Sequence, residues 1–270
     1  ATVGDQLVGD PRIDMVSFTG STAVGKHIMA RASETVKKVF LELGGKSANI
    51  ILDDADLGSS LLSALAVCFH AGQGCALNTR LLVPANRQDE VEELLKTYFG
   101  FISYGDPQAE GAIMGPQVNA RQRKRVLSYI EKGKAEGARL LLGGGVPAHL
   151  DKGYYVEPTV FVDVTNDMTI AREEIFGPVL AVIAYSDEEE AIRIANDSDF
   201  GLSGSVWSAS EERALAVARR VRTGTINVNG GNFYAADAPF GGYKQSGLGR
   251  EMGVEGFEEY LETKTIAIGV

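Results

Sequence analysis

Residues 36–52 read VKKVFLELGGKSANIIL. Two β-type runs, 36–43 and 47–52, flank a Gly-Gly-Lys turn, and their β-branched content and glycine border mark them as strands. Working outward, similar runs bounded by Gly or Pro predict strands at 15–19, 79–84, 160–164, 179–185, 204–207, 224–228 and 264–270. Helical patterns lie between them. The stretch 57–70 is almost wholly apolar and is expected to be a buried helix, and 122–136 places Val126, Leu127 and Ile130 on one face. Asp187 followed by Glu190 reads as a capping box, and Ser210 opens a helix carrying Ala214, Ala218 and Val221 at helical spacing. Strands alternating with helices predict an α/β fold around a mainly parallel sheet. The run at 264–270 is a terminal strand that needs a partner edge, supplied by another subunit or by its own sheet.

The chain has 270 residues, 44% hydrophobic and 23% charged, which suits one large globular domain or two. No apolar run approaches the ~20 residues of a membrane helix. No basic, apolar leader opens the chain, so a cytoplasmic location is expected. The first residue is Ala1, which suggests a trimmed or excised chain. A net charge of −10 argues against non-specific nucleic-acid or membrane binding, which draws on clustered Lys and Arg. The run RQRKR at 121–125 is the local exception and reads as a solvated helix face. Cys68 and Cys75 are too few for a disulfide framework.

Four features bear on chemistry. GSTAVGK at 20–26 has the outline of a phosphate loop, but His27 stands where a magnesium-binding Ser or Thr is required, so a nucleotide triphosphatase is excluded. What remains is a Gly-Ser turn at a helix N-terminus, which either attracts an anion or is a structural turn. Cys68, His70 and Cys75 lack a fourth zinc ligand, with His27 and His149 isolated, so no metal site is expected. Cys68 reads as core filling. Cys75, in Gly72-Gln73-Gly74-Cys75, sits on a turn whose glycines let a substrate approach the sulfur, although a lone cysteine taken by itself is more often a buried, inert thiol. Glu42 ends an apolar strand. Burial there would raise its pKa into the range of a general base, the alternative being an acid that reaches solvent.

Five motifs in order, FTGSTAVG (18–25), LELGGKSANII (41–51), GQGC (72–75), EEIFGPV (173–179) and PFGGYKQSGLGRE (239–251), resemble the aldehyde dehydrogenase superfamily, with Glu42 and Cys75 33 residues apart. The resemblance runs from residue 1 to 270 and implies an aldehyde dehydrogenase-like catalytic domain joined to the end of a Rossmann-like cofactor domain. It gives Cys75 the role of nucleophile and Glu42 that of general base. It places Gly20, Ser21 and Gly25 at the cofactor pyrophosphate, Leu43 beside the nicotinamide, and Glu174 on the nicotinamide ribose with Phe176 nearby. Gln122 and Arg125 align near the adenine ribose. Phe240 is similar to an aromatic of the aldehyde tunnel, and Phe233, with the rest of 233–237, borders the tunnel mouth.

The reaction so implied is oxidation of an aldehyde to a carboxylic acid with NAD or NADP. Cys75 forms a thiohemiacetal and then a thioester, which Glu42 helps water to cleave. Coenzyme A-acylating relatives commonly lack this glutamate, so Glu42 favours hydrolysis over the acylating alternative; a non-catalytic fragment that retains the fold is the other rival. Family members are near twice this length. The missing half would hold an oxyanion-hole Asn, the loop that sets NAD against NADP preference, and part of the tunnel, so the isolated chain is expected to be impaired. The division expected is 1–43 (cofactor domain), 44–245 (catalytic domain) and 246–270 (return segment and oligomerisation strand), in a homodimer or homotetramer. Which aldehyde is oxidised is not legible.

Overall fold

The computed structural model describes residues 2–232 and 234–269. Its strands are β1 (Met15–Thr19), β2 (Lys38–Glu42), β3 (Ala48–Ile51), β4 (Arg80–Pro84), β5 (Arg139–Leu142), β6 (Thr159–Val162), β7 (Val179–Tyr185), β8 (Phe200–Gly201), β9 (Gly204–Trp207), β10 (Asn227–Val228), β11 (Tyr243–Lys244) and β12 (Gly247–Leu248). A seven-stranded sheet runs in the order β10-β9-β3-β4-β7-β6-β5, and every pair is parallel except β5 with β6. A three-stranded sheet, β1-β2-β12, pairs β1 and β2 in parallel and sets β12 antiparallel to β2. The mixed α/β fold with a mainly parallel sheet is therefore as the alternation of elements predicts.

The central strands are buried and largely apolar because both faces of the large sheet are covered, with Asn49, Arg80, Thr159 and Ser205 the buried polar exceptions, and alternate side chains enter different cores. Ile50, Leu82, Phe161 and Ala181 pack on one face with helices Ala120–Ala135, Glu188–Asn196 and Glu211–Ala218. Ile51, Leu81, Val160 and Leu180 pack on the other with the 57–72 segment and helix Gln88–Phe99. A third, smaller cluster (Val8, Ile28, Ala32, Leu41, Leu43) supports the three-stranded sheet.

Local signals act as their chemistry dictates. Asp187 accepts from Glu190 N at 2.8 Å, and the Glu190 carboxylate returns to Ser186 N at 2.7 Å, one residue earlier than a strict capping box. Ser210 caps the helix Glu211–Ala218. The 57–70 stretch departs from expectation. It begins as a short α-turn, Leu57–Ser60, continues as 3-10 turns from Leu61 that break at Phe69, whose backbone is extended, and at His70 and Ala71, whose φ is positive, and it leaves Leu62 and Phe69 about half exposed. The RQRKR face is solvated as expected, with Arg121, Lys124 and Arg125 exposed, and Arg123 and Arg125 also bond to neighbouring loops. Residues 264–269 form no strand and are exposed. A strand needs a neighbouring edge for its amides and carbonyls, and the single chain brings none to this run.

Candidate functional site

Glu42 is the last residue of β2, where its backbone is paired on both sides, with Thr19 of β1 and Gly247 of β12. Gly20 N also donates to the Glu42 carbonyl at 2.9 Å. The backbone is fixed while the side chain is buried, only 3% exposed, with no hydrogen-bond partner for either carboxylate oxygen. Burial, and next the charge of Glu251, raise its pKa to about 8, and Arg250 opposes them. Arg250 and Glu251 were not singled out in the sequence. Their motif was legible, but the fold-back of 240–251 was not: Phe240 and Glu251 exchange backbone hydrogen bonds of 2.7 and 2.6 Å, which turns the segment toward Glu42.

Cys75 is half-buried and free, on the turn that leads into β4. Burial pushes its thiol upward, the carboxylates of Glu174 and Glu42 add to that, and the adjacent backbone amides of Cys75 and Ala76 oppose it. Cys68 is fully buried, and burial pushes its thiol up to about 12, so it is core filling.

The Gly44-Gly45 turn brings these parts together. A Cβ on Gly44 would lie 2.4 Å from Glu174 Oε2, and one on Gly45 would lie 2.6 Å from the Cys75 carbonyl oxygen. Only hydrogen fits at either place. Gly45 N donates to Glu174 Oε1 at 3.2 Å. Burial raises the Glu174 pKa, while the Gly45 amide, Lys46 and Arg125 hold it down. Lys46, also missed in the sequence, is 2% exposed with an unpartnered Nζ, and burial followed by repulsion from Arg80 lowers its pKa to about 7. Nothing in the sequence LELGGK separates this lysine from a surface one.

The other expected residues fall in three places. The Gly-Ser turn opens the helix Thr22–Ala32: Ser21 caps it by accepting from Val24 N at 3.4 Å, and Gly25 packs so closely on Leu43 that a Cβ there would lie 2.7 Å from both of its methyl carbons. Gln122 and Arg125 turn toward the 173–176 loop. Gln122 Nε2 donates to the carbonyls of Ile175 (3.2 Å) and Phe176 (2.7 Å), and Arg125 donates to that of Glu174 (2.7 Å). Phe176 is partly exposed at a φ of 60°. Phe240 is buried, edge-to-face with Tyr234 at 6.2 Å. Phe233 lies outside the described residues. Among the described residues no group of three or more His, Cys, Asp or Glu could hold a metal, and no helix is long and apolar enough to cross a membrane.

A turn-borne thiol, a desolvated carboxylate and a second acid held by a glycine turn form a cysteine-centred site in an α/β fold. The model of the aldehyde dehydrogenase family matches residues 1–266, and the chain belongs to that family. It is 51% identical over 268 residues to a 3-succinoylsemialdehyde-pyridine dehydrogenase of a Pseudomonas species, covering 98% of this chain and 56% of that one. It is 49% identical over 269 residues to the betaine aldehyde dehydrogenase of Brucella anthropi, covering 98% and 55%. Among solved structures, a mutant of aldehyde dehydrogenase C from Pseudomonas syringae, complexed with NAD+ and octanal, superimposes with a TM-score of 0.95 at 47% identity, over 97% of this chain and 54% of that one. An aldehyde dehydrogenase of Mycobacterium tuberculosis with NAD+ gives 0.93 at 48% identity, over 96% and 53%. The chain thus spans about half the length of the relatives it matches.

Proposed function

We propose that this chain carries the catalytic half of an NAD(P)-dependent aldehyde dehydrogenase that oxidises an aldehyde to its carboxylic acid. The observation that carries this reading is the convergence of Cys75, Glu42 and Glu174 on the Gly44-Gly45 turn, where both carboxylates act on one thiol.

The Cys75 thiolate attacks the aldehyde carbon and forms a C–S bond, and the oxyanion faces donors such as the Cys75 amide. NAD(P)+, when bound, supplies the acceptor for the hydride. Glu174 would hold its nicotinamide ribose. One carboxylate oxygen is taken by Gly45 N and Oε2 has no hydrogen-bond partner among the described residues, which suits a sugar hydroxyl. The capped helix start at Gly20, Ser21 and Gly25 would face the pyrophosphate, with Leu43 and Phe176 beside the nicotinamide. The acyl group then sits on Cys75 as a thioester. Glu42 removes a proton from water, the hydroxide adds to the carbonyl, and the thiolate leaves. A carboxylate with a pKa of about 8 is a far stronger base than an ordinary glutamate. Its presence supports water over coenzyme A as the acyl acceptor.

The three-stranded sheet draws strands from both ends of the chain, which supports a division at 1–43, 44–245 and 246–270. Exposed Phe257, Tyr260, Leu261, Ile266 and Ile268 support burial of the last segment in a homodimer or homotetramer. Two free cysteines fit a reducing, cytoplasmic setting. The octanal and betaine aldehyde in the relatives' names support a small aldehyde as substrate.

An activated ester tests the half of the cycle that needs no cofactor. With p-nitrophenyl acetate the purified chain should acylate Cys75, detected by peptide mass spectrometry, and Glu42→Gln should lengthen the lifetime of the adduct by about 100-fold or more. An adduct confined to Cys68, or one released at equal rates by both proteins, would overturn the proposal.

A further inference from the structure

The turn that carries the thiol is held in an unfavourable backbone conformation. His70, Ala71 and Gly72 have φ values of 51°, 54° and 73°, three left-handed residues in succession. Such a residue other than glycine costs about 1–3 kcal/mol and persists only where the surroundings enforce it.

Those surroundings are specific. Gln117, a polar residue only 2% exposed, donates from Nε2 to the Ala71 carbonyl at 2.7 Å, in the middle of the left-handed run. Its own backbone is tied down, since Gln117 N donates to the Tyr154 carbonyl at 2.9 Å. The next residue closes the clamp from the other side: Val118 N donates to Gln73 Oε1 at 2.8 Å, while Gln73 Nε2 donates to the His70 carbonyl at 2.9 Å. On the opposite face Gly72 abuts Gly177, where a Cβ on Gly72 would lie 2.0 Å from the Gly177 carbonyl carbon.

The same short stretch also holds the second acid. Gln117 and Val118 grip the thiol turn, and Gln122 and Arg125 grip the backbone of 174–176. Gly177 follows directly and packs on Val126 of the same helix. Residues 117–126 therefore brace two loops that meet at Gly72 and Gly177. We propose that Gln117 is a positioning residue: its amide holds the 70–75 turn in the conformation that sets the place of Cys75. This rests on Cys75 as the nucleophile. Gln117 touches no reacting atom and acts only through the turn.

The test is alkylation of Cys75 by iodoacetamide from pH 6 to 10, followed by peptide mass spectrometry on the parent, Gln117→Met and Gln73→Met. Methionine keeps the length and removes the donor. Both variants should alkylate Cys75 about 10-fold more slowly at pH 8, with the pH midpoint moved upward, because the released turn no longer keeps the sulfur beside the backbone dipoles of its own turn. Cys68 reports unfolding, and its continued protection shows that the variants are folded. A purely structural role would lower the denaturation midpoint and leave the pH midpoint of alkylation in place. An unchanged or faster rate with an unchanged pH midpoint in a folded variant overturns the inference, and Gln73→Met, whose side chain is only partly buried, decides it alone if Gln117→Met does not fold. An unreactive Cys75 in the parent overturns instead the reading of the chain as an enzyme.

Discussion

Replacing Glu42 by Gln should make the protein more stable as the pH rises, and the size of the effect follows from the burial of the carboxylate. The side chain is enclosed with no hydrogen bond to either oxygen, and its pKa moves from 4.5 to about 8. Because the folded value lies above the unfolded one, the carboxyl contributes stability that is fully present below pH 4.5 and is lost as the pH rises through about 8. At about 1.4 kcal/mol per tenfold change in binding, proton linkage between pH 5 and 9 amounts to about 4 kcal/mol. Glutamine has nothing to titrate. Urea unfolding of the two proteins at intervals across that range should show the difference, variant minus parent, growing by about 4 kcal/mol, with most of the rise complete by pH 8. A difference that stays flat with pH would mean that the carboxylate is solvated in the folded protein. The argument for an activated base would then fail with it.

Three further outcomes are expected. Iodoacetamide at pH 8 should label Cys75 at least about 10-fold faster than Cys68, and Glu174→Gln should move the labelling profile of Cys75 to lower pH by removing a carboxylate that disfavours the thiolate. Gly72→Ala should destabilise the chain by about 3 kcal/mol in denaturant titration, since the new Cβ meets the Gly177 backbone at a positive φ. Arg80→Met should cost a similar amount, about 3 kcal/mol, because the buried guanidinium donates to the carbonyls of Lys46, Ile194 and Ala195 and to Asn166 Oδ1, all of which it would leave without that donor.

The large sheet was legible because its strands are buried on both faces and read as mostly apolar, β-branched runs; 179–185 and 204–207 coincide with β7 and β9 residue for residue. The antiparallel edge strand Arg139–Leu142 and the two-residue strands Phe200–Gly201, Tyr243–Lys244 and Gly247–Leu248 were not, whereas Asn227–Val228 lies within the predicted 224–228; short or edge pairing depends on neighbours more than on composition. Helix starts at Asp187 and Ser210 were readable from side chains that bond within three residues. The helix over 57–70 was misjudged in type, because an apolar run does not say which turn of helix carries it. For the site, Glu42, Cys75 and Glu174 stood out through motifs. Glu251, Arg250, Lys46 and Gln117 did not, since each matters through contacts with residues distant in the chain. The present geometry also gives Gln122 and Arg125 a task, holding the 174–176 backbone, that alignment with other members of the family did not suggest.

The pairing of β2 with β12 has a consequence for how the molecule is made. Gly247 lies opposite Glu42, and Ser246 receives the amide of Leu43, so the seat of the carboxylate is completed by residues more than two hundred positions later. The thiol turn, by contrast, has its supports in hand once Gly177 has been synthesised. During translation a nascent chain therefore acquires its reactive sulfur well before it acquires a finished base. An acyl group that reaches Cys75 in that interval would stay there until the seat of Glu42 is complete.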